Sequence, residues 1–166
     1  MDKRNKTALA YLLVGVAAAG RALLAVPDAP AITPLAFTDT VSRTQRVSAW
    51  GFPGAVTTDD PKFAALLRGQ SAQAPEVVYT DGVVSVVLDR TPPLIVHTAT
   101  VSQGNSGGPL VDEQGRVVGI NTAIKLDDAS YRQSSLAIVS ARLADFLRKA
   151  GLTVRRDAPA AAGGRS

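Results

Sequence analysis

The chain consists largely of short apolar runs separated by turn-forming residues, a pattern typical of β-strands. The clearest runs are "QRVSAWGFPG", "EVVYTDGVVSVVLD", "LIVHTATV" and "PLVDEQGRVVGINTAI". We expect the second run to form two strands with a kink or turn at Gly82, and the last to form a hairpin that turns at 113–115. Short strands at close spacing, with one helix at the end, indicate an all-β barrel or sandwich.

Two other segments carry helix signals. Asp60, Pro61 and Gly69 bracket "KFAALLR" as N-cap, first helical position and C-terminal stop. Near the end of the chain, Ser140 is predicted to cap a second helix, which Gly151 ends. One face of that helix carries Leu143, Phe146, Leu147 and Ala150.

The first twenty residues, "MDKRNKTALAYLLVGVAAAG", fit two interpretations. A basic start followed by an apolar stretch over 7–20 is typical of a secretory leader, and the stretch is short for a membrane span. "ALAYLLVGV" and "RALLAV" equally fit a pair of strands. A leader would predict a periplasmic or secreted protein, with membrane association only through this segment. We therefore divide the chain into an apolar N-terminal segment over 1–30, one domain over 31–152 and a loose tail over 153–166.

Composition and charge narrow the chemistry that this domain supports. The 166 residues include no cysteine, which excludes disulfide bonds and catalysis by a thiol. They include one histidine, and no metal or cofactor is predicted. The net charge of +4 is carried by the two ends of the chain, and the residues between them balance to zero. Because a phosphate-binding face needs clustered Lys and Arg on ordered structure, no nucleic-acid partner is predicted.

Glycines surround a single serine in "GNSGGP". Acyl transfer by serine needs an exposed hydroxyl and donors aimed at the developing oxyanion, and backbone N–H groups serve only where the chain turns sharply. Gly104 and Ser106 are both placed to present such N–H groups, and Gly107 and Gly108 leave room beside the Ser106 hydroxyl. A glycine-rich β-turn in which Ser106 only caps backbone groups is the alternative, since short motifs match by chance.

The longer string "GNSGGPLVDEQGRVVGINTAI" resembles the nucleophile region of trypsin-like serine endopeptidases, especially the bacterial HtrA/Deg branch. "RVSAWGFPG", "DGVVSVVLD" and "SSLAIVSARLADFLRKAGL" resemble the opening strand, the next hairpin, and the last strand and closing helix of the family's second barrel. "YLLVGVAAAGRALLAV" resembles the final strands of the first barrel. The resemblance implies a chymotrypsin-like fold of two six-stranded antiparallel β-barrels. This chain would hold the second barrel complete, the first only in part, and a C-terminal helix.

The resemblance also assigns residues to roles. It makes Ser106 the nucleophile, places the N–H groups of Gly104 and Ser106 in the oxyanion hole, and puts Thr100 at the floor of the pocket for the residue before the cut. The following strand should line that pocket and pair with the backbone of a polypeptide substrate. Its substrate-binding residues would be Ser134, Ser135, Leu136 and Ala137.

The catalytic partners of Ser106 are missing. Histidine serves as general base and aspartate orients it in this fold, but His97 lies only nine residues before Ser106 on the preceding strand. We therefore expect His97 to be packed in a strand. The family's acid would fall at Gly20 or Arg21, and Asp28 lies beyond the strand. The interior lysines, Lys62 and Lys125, lie in segments predicted to be at the surface.

Three hypotheses follow. The chain is a serine endopeptidase that has lost its N-terminal half, or a non-catalytic module that keeps the peptide-binding cleft. The third is a small envelope protein with a cleaved leader and a structural β-domain. The oligomeric state is left open.

Overall fold

The computed structural model describes residues 33–57, 59–71, 75–127 and 132–156. The segment over 1–30, including Asp28 and the stretch that fits either a leader or strands, lies outside the described residues, as does most of the predicted tail.

Six antiparallel strands close into a barrel with the order β1-β2-β3-β6-β5-β4. The strands are β1 (Arg46–Gly51), β2 (Val78–Leu88), β3 (Leu94–His97), β4 (Pro109–Asp112), β5 (Val117–Asp127) and β6 (Arg132–Val139). The described ranges also contain three helices: α1 (Gly54–Thr57), α2 (Pro61–Leu67) and α3 (Ser140–Lys149). The predicted all-β barrel with a closing helix is thereby confirmed, and it is a barrel rather than a sandwich.

The interior of the barrel is formed by alternate residues of its strands, as the two-residue side-chain period of a strand requires, and by two residues of the loop that follows β3. Its buried members are Val47, Ala49, Val84, Ile95, Ala99, Val101, Leu110, Val118 and Ala137. Because most of them are small or β-branched, six strands can close around them.

The run predicted to bend at Gly82 is instead one continuous strand, β2. A methyl group on Gly82 would lie only 2.0 Å from the backbone nitrogen of Ala99. The glycine is therefore needed for the close approach of two chain segments and not for a turn. A glycine within a strand can mark either feature.

The β4–β5 hairpin turns where the sequence predicts. The buried Asp112 carboxylate accepts from the backbone N–H groups of Gln114 (3.0 Å) and Arg116 (2.8 Å), and Gly115 has φ 72°. The Arg116 guanidinium pairs with the same carboxylate at 2.7 Å. The turn is thus held by the Asp112 carboxylate, which bonds to two backbone N–H groups and to the Arg116 guanidinium.

Helix α3 covers the outer face of β4 and β5. Leu143, with Phe146 and Leu147 beside it, packs against Val111, Val117 and Ile120 in a second apolar cluster. Ser140 is not the N-cap that the sequence predicts: Val139 precedes the helix, no side chain caps it, and the Ser140 hydroxyl donates to the carbonyl of Thr38 at 2.5 Å. Gly151, at φ 79°, does end the helix.

Helix α2 has the predicted ends. The Asp60 side chain accepts from the backbone N–H of Lys62 at 2.7 Å, Pro61 is the first helical residue, and Gly69 has φ 66°. Across the described part of the chain, none of the helices has the length and apolar character needed to cross a bilayer.

Candidate active site around Ser106

The loop between β3 and β4 makes tight turns that only glycine accommodates. Gly104 has φ 104° and Gly107 has φ 88°, both in the region that side chains disfavour. A methyl group on Gly104 would lie 2.2 Å from the carbonyl oxygen of Phe52. The chain therefore passes directly against the end of β1, and the Ser106 peptide is held between two left-handed turns.

The upstream side of the loop is anchored by Asn105. This residue is 3% exposed, and its Oδ1 accepts from the backbone N–H of Ser102 at 3.1 Å and from the Ser102 hydroxyl at 3.3 Å. Its own N–H donates to the Ser102 carbonyl at 3.0 Å. A further bond, from the Gly54 N–H to the Gln103 carbonyl at 2.8 Å, ties the same stretch to the first turn after β1.

The downstream side is anchored by Asn121 of β5. Its N–H donates to the carbonyl of Gly108 at 2.9 Å, its carbonyl accepts from the N–H of Gly107 at 2.8 Å, and its Nδ2 donates to the carbonyl of Pro109 at 3.3 Å. Sequence reasoning did not single out this residue. The signal was present as one asparagine in the otherwise apolar run "VVGIN".

Ser106 is exposed, and its hydroxyl donates to the carbonyl of Thr122 at 3.4 Å. Within the described residues, the N–H groups of Gly104 and Ser106 donate to no protein acceptor, whereas that of Gly107 is engaged by Asn121. One hydroxyl and two uncommitted amides are therefore present in a loop held on both sides. Such a group of donors suits an anionic or carbonyl oxygen.

The edge available to an extended peptide belongs to β5. Over 135–138, β6 pairs with β3 on one side and with β5 on the other, so its backbone groups are already used. On β5 the ladder with β4 ends at Ile120, and a bulge between Asn121 and Ala123 interrupts the pairing with β6. The Thr122 carbonyl in this bulge is the one that accepts from Ser106. Over 135–138 the predicted pairing of substrate with β6 thus has no free edge, because that part of the strand has a neighbour on each side.

The other predicted substrate-binding residues differ in accessibility. Thr100 is exposed, and its carbonyl accepts from the Thr80 hydroxyl at 2.6 Å. Ser135 and Ala137, at 2% and 0% exposed, face the barrel interior, while the partly exposed Leu136 lies on the opposite face of the strand. Ser134, also partly exposed, precedes them. The structure therefore leaves only Thr100, Ser134 and Leu136 of this set accessible.

His97 does not contact Ser106. It is 1% exposed, it faces the barrel interior between Val84 and Ser135, and neither ring nitrogen has a hydrogen-bond partner among the described residues. Burial lowers the pKa of His97 from 6.5 to about 4, and the neighbouring Asn121 side chain opposes that change by raising it. The expectation of a packed strand histidine agrees with this placement.

Among the described residues, no other ionisable group forms a hydrogen bond with Ser106. In the part of the chain that the structure describes, the Ser106 hydroxyl bonds only to the Thr122 carbonyl. Lys62 is exposed on α2, and Lys125 lies on β5. The same described ranges contain no group of three His, Cys, Asp or Glu side chains that could hold a metal ion.

Curated relatives match parts of this chain. The magnetosome formation protease MamE of Paramagnetospirillum magneticum is 47% identical over 47 residues, which is 28% of this chain and 6% of MamE. A probable periplasmic serine endoprotease, DegP-like, of Halomonas elongata is 36% identical over 84 residues, covering 46% of this chain and 18% of that protein. The chain thus spans less than a fifth of the length of these relatives.

Solved structures share the fold. An inactive form of Rv3671c from M. tuberculosis superimposes with a TM-score of 0.58 at 22% identity, covering 87% of this chain and 64% of that one. The HtrA-type protease AlgW with a decapeptide gives a TM-score of 0.54 at 23% identity, over 76% of this chain and 35% of AlgW. At these identities the likeness establishes the chymotrypsin-like fold alone.

The family model described as "Trypsin-like peptidase domain" matches residues 2–120, from the apolar N-terminal segment to β5. This match includes the loop with the exposed serine and its upstream anchor Asn105, and it ends one residue before Asn121. The expected resemblance to HtrA/Deg proteases is confirmed by the names of the relatives. The chain belongs to the trypsin-like peptidase family.

Proposed function

We propose that this chain carries the nucleophile half of a serine endopeptidase, with Ser106 as the nucleophile and the amides of Gly104 and Ser106 as the oxyanion hole. One observation carries the proposal: an exposed hydroxyl lies in a loop whose two candidate oxyanion donors are uncommitted among the described residues. Every other polar contact of the loop serves to hold it in shape, which is the preorganisation that oxyanion binding needs.

The substrate in this proposal is an extended polypeptide. Its backbone would add to the free edge of β5, with the Thr122 carbonyl accepting from the substrate N–H next to the scissile bond. Thr100 would lie at the floor of the side-chain pocket, and Ser134 and Leu136, the partly exposed residues of the β6 segment, would form its wall. A small uncharged floor suits aliphatic or small side chains. The decapeptide bound to AlgW supports a polypeptide as the class of ligand.

The chemistry is acyl transfer. Ser106 Oγ forms a bond to the scissile carbonyl carbon, the carbonyl electron pair moves onto its oxygen, and the two amides donate to that oxyanion. The C–N bond then breaks as the leaving amine takes a proton, and water releases the acyl group by the reverse sequence. The hydroxyl proton needs a base, which the family takes from a histidine of the first barrel. His97 cannot serve, so we expect the described barrel to be slow by itself.

A non-catalytic peptide-binding module is the second candidate. It is favoured by the contact of Ser106 Oγ with the Thr122 carbonyl, where no described side chain is placed to remove its proton. In such a module the β5 edge and the loop amides would bind a peptide without chemistry.

The apolar segment over 1–30 is included in both proposals as strands of the first barrel. The family match from residue 2 supports this assignment over a cleaved leader. Mass spectrometry of the N-terminus of secreted material would test it, since a start after residue 20 would favour a leader.

Fluorophosphonate labelling followed by peptide mapping distinguishes the two candidates. Slow covalent labelling of Ser106 in the wild type, lost in Ser106→Ala and retained in Ser85→Ala on the exposed face of β2, would support the endopeptidase. Equal binding of an aliphatic peptide by the wild type and Ser106→Ala, with no labelling, would support the binding module. Neither labelling nor peptide binding would contradict both.

A further inference from the structure

Two buried polar side chains, those of His97 and Asn121, are neighbours behind the Ser106 loop. Both residues are 1% exposed and lie inside the barrel. Both ring nitrogens of His97 and Oδ1 of Asn121 have no partner among the described residues. Buried polar groups are nearly always paired, so this arrangement needs an explanation. A neutral imidazole has one N–H donor, and Oδ1 is an acceptor, so the two groups are complementary.

The orientation of the Asn121 amide matters to the loop. Its Nδ2 donates to the Pro109 carbonyl at 3.3 Å, while its backbone bonds to Gly107 and Gly108. If the amide turned over, Oδ1 would face the Pro109 carbonyl and that bond would be lost. A donor directed at Oδ1 from the opposite side would hold the amide in its present orientation.

We propose that His97 is a positioning residue: its neutral imidazole donates a hydrogen bond to Asn121 Oδ1 and thereby holds the segment that follows Ser106. The neutral form is the one the barrel accommodates. Val84 of β2, Ser135 of β6 and Asn121 of β5 face the ring, and none of them is ionisable. The effect on Ser106 rests on the proposed function, whereas the hydrogen bond itself does not.

The first test observes the imidazole directly. The chain has one histidine, so a long-range ¹H–¹⁵N spectrum of the full-length protein at pH 7 contains only the His97 ring. We expect one dominant tautomer with a slowly exchanging N–H, replaced by a tautomer mixture in Asn121→Ala. A mixture in the wild type, or the same single tautomer in Asn121→Ala, would overturn the proposal.

The second test measures the loop. The Gly107 N–H donates to the Asn121 carbonyl, so its hydrogen exchange reports how firmly β5 holds the loop. Relative to a reference amide in β1, we expect exchange about tenfold faster in His97→Phe, the factor that corresponds to one lost hydrogen bond. His97→Gln, which keeps a donor, should recover most of that factor. Ile95→Val, on the same strand and equally buried, should leave the ratio unchanged.

Equal Gly107 exchange in His97→Phe and Ile95→Val would count against a positioning role. If His97→Phe does not fold, the tautomer comparison between the wild type and Asn121→Ala still decides. Fluorophosphonate labelling is followed in parallel, with a slower rate expected in His97→Phe than in His97→Gln. Absence of labelling in the wild type would reject the endopeptidase proposal. The positioning role of His97 would then be tested by the tautomer spectrum and the Gly107 exchange rates alone.

Discussion

Acidification should destabilise this barrel through His97. The ring is 1% exposed, and burial lowers its pKa from 6.5 to about 4 because the charged form loses its water. In the unfolded chain the ring binds a proton near pH 6.5, so the unfolded state takes up the proton first as the pH falls. The stabilisation is therefore fully present above pH 6.5 and is lost progressively down to about pH 4.

The magnitude follows from those two pKa values. Linkage between them gives a decrease in the free energy of unfolding of about 2 kcal/mol from pH 7 to pH 5, and about 3 kcal/mol once pH 4 is reached. A decrease of this size is a substantial part of the stability of a small domain, which is about 5–15 kcal/mol.

Urea denaturation of the wild type and His97→Gln at half-unit intervals from pH 7 to pH 4.5 would measure the effect. The variant loses stability at every pH because its side chain fits the ring site less well, but its curve should be flatter by about 2 kcal/mol between pH 7 and 5. Parallel pH dependences in the two proteins would refute the reasoning, because they would assign the loss to other groups.

Two further substitutions test the fold. Gly82→Ala should destabilise the protein by about 3 kcal/mol or more, since its methyl group would lie 2.0 Å from the Ala99 nitrogen. Thermal denaturation would measure this loss, and the control variant Ser85→Ala, exposed on the same strand, should show no comparable loss. Asp112→Ala removes a buried carboxylate that accepts two backbone N–H groups and an arginine, with an expected loss of about 2–4 kcal/mol. Glu113→Ala removes only an exposed ion pair and should change the free energy of unfolding, measured by urea denaturation, by less than about 0.5 kcal/mol. A similar loss in Asp112→Ala and Glu113→Ala would contradict the role given to the buried Asp112 carboxylate.

The strands could be predicted because their period and their turns are encoded locally. The β4–β5 hairpin shows this: Asp112 and Gly115 are both residues that a tight turn selects, and they lie between two apolar runs. Helix α2 was located from Asp60, Pro61 and Gly69 for the same reason. These signals act within a few residues of one another, so a single sequence contains them in full.

The errors arose where a residue serves a distant segment. Gly82 was interpreted as a bend, yet it accommodates Ala99 from the loop that follows β3. Ser140 has the residue type of an N-cap, but its hydroxyl donates to Thr38, which is about a hundred residues earlier in the chain. Which strand has a free edge depends on the order of strands in the barrel, and no local pattern states that β6 has a neighbour on each side over 135–138.

The closure of the barrel also has a consequence for biosynthesis. The first strand, β1, pairs with β2 and with β4, and the latter contact joins Val47 to Asp112. During translation the hydrogen-bonding groups along one side of β1 therefore wait until more than sixty further residues have been made. Such non-local pairing slows folding and leaves aggregation-prone intermediates that chaperones and other nascent chains can bind. If translation ended before β4, the released chain would contain an open sheet in which one side of β1 is unpaired.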